Sequence, residues 1–98
     1  MKYFIVNLTY EVPFERVAEV VGEHRAFLDM GYENGSFLAS GPQNPRVGGL
    51  LIARAESREA LMALLKDDPF QTKGIVSYHV TEFEPVKRHP EFGAFFAA

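Results

Sequence analysis

Residues Lys2 to Tyr10 constrain the chain more than any other stretch. Aromatic and β-branched residues dominate it, with Phe4, Val6, Leu8 and Tyr10 on one alternating face and Tyr3, Ile5, Asn7 and Thr9 on the other. Such a run reads as a strand buried on much of both faces. The sheet that contains it therefore needs a layer on each side. The remaining segments supply one layer. Pro13 suits the first position of a helix, and Phe14, Val17, Val20, Val21, His24, Phe27 and Leu28 recur at helical spacing up to Met30, with Gly31 placed to end it. Asn34-Gly35 marks a turn, Ser36 to Ser40 a short strand closed by Gly41-Pro42, and Leu50 to Ala55 a central strand behind Gly48-Gly49. Ser57 is a natural N-cap for a second helix whose buried stripe is Ala60, Leu61, Leu64 and Leu65. Ile75 to Phe83 alternates as the last long strand.

The order is strand, helix, strand, strand, helix, strand. Its simplest solution is an α+β fold of the ferredoxin-like βαββαβ type, a four-stranded antiparallel sheet with both helices on one face. The uncovered face is too apolar for water, so two sheets are expected to pack face to face in a homodimer. All 98 residues form one domain, with a core over residues 1–86 and a tail over 87–98. The Phe92 to Ala98 tail carries two adjacent phenylalanines and is expected at the dimer interface; the competing reading docks it on its own subunit.

Composition narrows the function classes. A net charge of -3 without a basic run argues against nucleic acid and anionic membranes as partners. The absence of cysteine excludes disulfides, thiolate metal sites and a cysteine nucleophile, and fits a reducing compartment. The N-terminus lacks a signal-peptide pattern and no window approaches a membrane span, which makes a cytoplasmic location the default expectation.

One segment breaks a local rule. Lys66-Asp67-Asp68-Pro69-Phe70 puts two carboxylates at the end of an apolar helix, where the partial negative charge of the last turn opposes them. One explanation is structural: Asp68 caps a new turn begun by Pro69 and ended at Gly74. The other is functional, and a carboxylate with two oxygens can serve both. His24 is the other position that stands out, since it interrupts the apolar stripe of the first helix, four residues after Val20 and four before Leu28. It should point inward. Alone it reads as a satisfied core histidine; beside a carboxylate, one ring nitrogen would be held as donor and the other freed as a general base, and Asp68 is the natural partner. Glu23 turns toward solvent, His79 lies on a strand face as a surface or interface residue, and His89 sits in a polar tail. Three histidines so scattered do not make a metal site. Ser40, Gly41 and Pro42 sit at a strand end where they could shape a pocket mouth, and Phe70 and Tyr78 could wall it.

Gly-Glu-His-Arg-x-Phe-Leu in the first helix, Ser-Gly-Pro closing the second strand, Gly-Gly-x-Leu-Ile opening the third and Asp-Asp-Pro-Phe after the second helix appear in that order. Together they resemble the YCII-related (YciI-like) family over Tyr3 to about Pro85. The resemblance implies a dimeric α+β barrel of ferredoxin-like subunits, similar in architecture to muconolactone isomerases and antibiotic-biosynthesis monooxygenases. It further implies a His-Asp dyad at His24 and Asp68. One branch of the family eliminates chloride from a chlorinated hydroxyhydroquinone without a cofactor, whereas most members have no assigned reaction.

Two expectations follow. In the first, the chain is an enzyme of lyase/isomerase or dehydrochlorinase type, without metal or organic cofactor, that uses the dyad to move a proton on a small aromatic or enolisable substrate. In the second, it is a non-catalytic dimer that binds a small molecule or serves as an interaction module, with His24 and Asp68 bracing the two helices.

Overall fold

A computed structural model describes residues 1–97. Strand β1 (Lys2–Tyr10) leads into helix α1 (Phe14–Glu33), followed by β2 (Phe37–Pro42), β3 (Gly48–Ala55), α2 (Arg58–Leu65), the single turn α3 (Pro69–Thr72) and β4 (Val76–Phe83). The sheet is antiparallel in the order β2-β3-β1-β4, so the strand apolar on both faces is central, as its composition requires. This is the βαββαβ arrangement of a ferredoxin-like α+β domain.

The core lies between the sheet and the helices. Phe4, Val6, Leu8, Leu51, Ala53, Val76 and Val80 from the strands meet Val17, Val20, Phe27, Leu61, Leu65 and Phe70 from the helical segments. Each fully buried side chain of this kind contributes roughly 1.5–3 kcal/mol relative to exposure. The two short helical elements begin where their caps dictate: Ser57 Oγ accepts the Ala60 N–H at 3.0 Å, and Asp68 Oδ1 accepts the Phe70 N–H at 3.0 Å.

Helix α1 runs one turn further than the spacing predicts. Gly31 does not end it; Gly31 is buried inside the helix, and a Cβ there would lie 2.0 Å from the Phe37 ring. Its function is close approach to β2. The left-handed residue that turns the chain is Gly35, with φ of 81°. β2 in turn contains an irregularity between Phe37 and Ala39 where it pairs with β3, so that Phe37 (opposite Ala53) and Ser40 (opposite Leu51) both face the helices. Regular alternation would put residues three apart on opposite faces.

The face away from the helices is covered at one end by the chain's own tail. Pro90–Phe92 forms a 3-10 turn and Gly93–Phe96 one helical turn, α4. The Phe96 ring packs 5.1 Å from that of Tyr3 and 6.4 Å from that of Phe83, while Arg54 lies over the Phe95 ring and donates to its carbonyl at 2.6 Å. The two phenylalanines thus pack on their own subunit. Ala98 lies outside the described residues. Around Ile5, Leu50 and Ile52 the same face has no such cover among the described residues, and Leu50 is exposed. Among the described residues, no helix is long and apolar enough to cross a membrane.

Candidate active site

His24 and Asp68 meet. The imidazole Nδ1 lies 2.7 Å from Asp68 Oδ1, joining the middle of α1 to the cap of α3 across a gap of 44 residues in sequence. Asp68 is 1% exposed and the His24 side chain 14%. A carboxylate so buried must have its lone pairs filled. Asp68 accepts from three donors on three elements: the His24 ring, the Phe70 backbone N–H, and on its second oxygen the Tyr78 hydroxyl from β4. The cap and the pairing with His24 therefore coexist on one residue.

The consequence for the imidazole is chemical. With Nδ1–H donating to Asp68, the proton of the neutral ring is committed, and Nε2 carries the lone pair. Nε2 has no partner among the described residues, and His24 lines a cavity of about 600 Å³ between α1 and the sheet. Phe70 lies flat against the ring, centroids 3.9 Å apart and planes 6° from parallel, a stack that restricts tilting of the imidazole. Tyr10 meets the edge of Phe70 at 6.3 Å. Burial, and then the hydrogen bond and charge of Asp68, push the Tyr78 phenol far above its ordinary range, so Tyr78 remains a neutral donor to Asp68.

The other positions singled out in the sequence line the same cavity. Ser40 Oγ pairs with the Tyr32 hydroxyl at 2.5 Å, a contact that exists because of the irregularity in β2, and Gly41 and Pro42 follow it at the end of that strand. Phe70 lines the cavity wall. Tyr78 is a wall and in addition a hydrogen-bond donor, which its strand position alone does not reveal. Glu23 turns outward and pairs with Lys73 at 2.9 Å, His79 is exposed on the far face of β4, and His89 caps the tail turn by accepting the Glu91 N–H at 3.2 Å. Among the described residues no three His, Cys, Asp or Glu side chains gather as a metal site would need.

Tyr32, Arg25 and Asp29 on α1 and Arg46 in the β2–β3 loop also line the cavity and were not singled out by sequence reasoning. A signal existed on the helix. Ala18, Val21, Arg25, Leu28 and Tyr32 recur at alternating three and four residue steps, one stripe over from the buried Val17, Val20, Phe27 and Gly31. Ending the helix at Met30 hides Tyr32. No local signal points to Arg46, whose position depends on the path of an irregular loop.

The model of the YCII-related domain aligns with residues 1–84. The chain belongs to the YCII-related family. No curated protein matches this YCII-related domain significantly by sequence. Among solved structures, it is similar to the 5-chloro-2-hydroxyhydroquinone dehydrochlorinase TftG from Burkholderia phenoliruptrix, solved in complex with 2,5-dihydroxybenzoquinone. The TM-score is 0.72 at 19% sequence identity, covering 91% of this chain and 96% of that one. The likeness shows that the YCII-related domain has the fold of that structure.

Proposed function

We propose that the cavity is the active site of a small-molecule enzyme of lyase/isomerase or dehydrochlorinase type, in which His24 and Asp68 work as a proton-transferring dyad. The observation that carries this reading is the commitment of Nδ1 to a buried carboxylate while Nε2 is left to the cavity. Nε2 takes a proton from an O–H or an acidic C–H of an aromatic or enolisable substrate, and the electron pair left behind forms a new π bond. A leaving group such as chloride then departs with its bonding pair, or the proton returns at another atom. Asp68 holds the tautomer and stabilises the imidazolium, a service typically worth about 10²–10⁴-fold in rate. These steps use only the side chains named and ask for no metal or organic cofactor. The similarity to a dehydrochlorinase that binds a quinone supports the substrate class.

We also place the protein in the cytoplasm and read it as a homodimer, with the uncovered sheet face around Ile5, Leu50 and Ile52 as the interface. The test of the chemistry is a screen of chlorinated hydroxyquinols by chloride release and of keto–enol pairs by absorbance. With a turned-over substrate, His24→Ala should lose about 10²–10⁴-fold in kcat. Unchanged turnover would remove His24 from the chemistry.

A second reading rests on Asp68 itself, which ties α1, α3 and β4 together through three hydrogen bonds. In a non-catalytic binding or interaction module the pair would be a brace. Both His24→Ala and Asp68→Asn would then lower stability, and no substrate of the screen would be consumed.

A further inference from the structure

The chain has six arginines, and four have partners: Arg16 pairs with Glu19, Arg54 donates to the Gly35 and Phe95 carbonyls, Arg58 to the Val80 carbonyl and Arg88 to the Pro85 carbonyl. Arg25 and Arg46 have no hydrogen bond or ion pair among the described residues, and they are the two that line the cavity. They come from different elements, α1 and the β2–β3 loop, and both are exposed where His24 and Asp68 are not. A guanidinium is permanently charged and presents a planar fork that matches a carboxylate. Two of them on one cavity make its exposed end electropositive and favour an anionic ligand there. The protein supplies little to neutralise them. Asp68 is occupied by three donors, which leaves Asp29, one turn beyond Arg25, as the single other carboxylate on the cavity among the described residues.

We infer that Arg25 and Arg46 form a carboxylate subsite, and that the ligand of this cavity is a small aromatic or enolic carboxylate. The carboxylate lies at the exposed end, and the ring lies against Leu28, Leu51 and Phe70. Its position relative to Nε2 of His24 rests on the proposed proton transfer; the anion subsite itself rests on the arginines alone.

The test is a matched pair of probes, 2,5-dihydroxybenzoate and 2,5-dihydroxybenzyl alcohol, titrated into the intact protein at low salt with the His24 ring signals followed by NMR. The carboxylate is expected to bind about tenfold or more tightly than the alcohol, as a charge-assisted contact to guanidinium requires. Added salt should shrink that preference. In Arg25→Gln/Arg46→Gln it should fall to about twofold or less, while the thermal transition stays where it was because both side chains are exposed. Three results overturn the subsite: equal affinity for the two probes, a preference that survives the double substitution, or no binding of the carboxylate at millimolar concentration. The readout is binding, so its failure differs from that of the catalytic reading. A protein that discriminates the probes yet turns over nothing sinks only the catalysis, and one that turns over a neutral substrate without discriminating them sinks only the subsite.

Discussion

Asp68 shows how one side chain can satisfy a local and a distant demand together. As a cap it needs one oxygen for the Phe70 N–H; the same oxygen meets His24, and the other takes the Tyr78 hydroxyl. Asp68→Asn keeps the shape but puts an amide N–H where a donor already points, which should cost about 1–3 kcal/mol in a denaturant titration. It should also free the imidazole: ¹⁵N NMR of the neutral ring is expected to show the Nδ1–H tautomer in the wild type and a mixture in the variant. An unchanged tautomer would mean that Asp68 does not hold the ring. Tyr78 contributes in a different pH range. Its phenol ionises far less readily when folded than when unfolded, so the folded state keeps a proton that the unfolded state loses above about pH 10. Stability is therefore complete below that pH and falls as the pH rises beyond it, by at most about 1.4 kcal/mol per pH unit for one proton. Denaturant midpoints taken across the alkaline range should show a shallower decline in Tyr78→Phe than in the wild type. At this scale His24 and Asp68 were legible in the sequence, because His24 interrupts an apolar helical stripe and Asp68 is a carboxylate that follows the apolar run of α2. Arg46 was not, since a loop residue breaks no pattern.

At the scale of elements, two glycines of α1 test the packing directly. Gly22 has nothing within 4 Å of where a Cβ would sit, so Gly22→Ala should stabilise the protein by about 0.5–1 kcal/mol through helix propensity alone. Gly31→Ala should do the reverse and cost about 1–3 kcal/mol, because the added methyl meets the Phe37 ring. Thermal melts of the pair check both signs. The extent of α1 was misread for the same reason. A glycine in a helical pattern signals an end when no partner is known, and tertiary contact with Phe37 converts that signal into a packing site. The irregularity in β2 was equally invisible, and yet it turns Ser40 toward Tyr32 and the cavity.

For the whole molecule, the central strand requires cover on both faces. Helices cover one, and on the other the tail covers Tyr3 and Phe83 while Ile5, Leu50 and Ile52 lack such a partner among the described residues. If a second copy completes that layer, as proposed, sedimentation should give twice the 11.0 kDa chain mass. Ile52→Glu, which places a charge in the middle of the patch, should shift the protein to the monomer without disturbing the helix-side core. A wild type that sediments as a monomer would assign the patch to another partner.

The sequence by itself determined the element order, the α+β class, the inward His24 and the anomalous Asp68, because periodicity and capping are local and each residue reports its own face. Only the tertiary structure decided that His24 and Asp68 touch, that Tyr78 donates to the same carboxylate, and that Arg25 and Arg46 share one cavity. Those contacts join residues many positions apart. Their distances depend on how a helix, a loop and a strand register against one another, and no local preference encodes that.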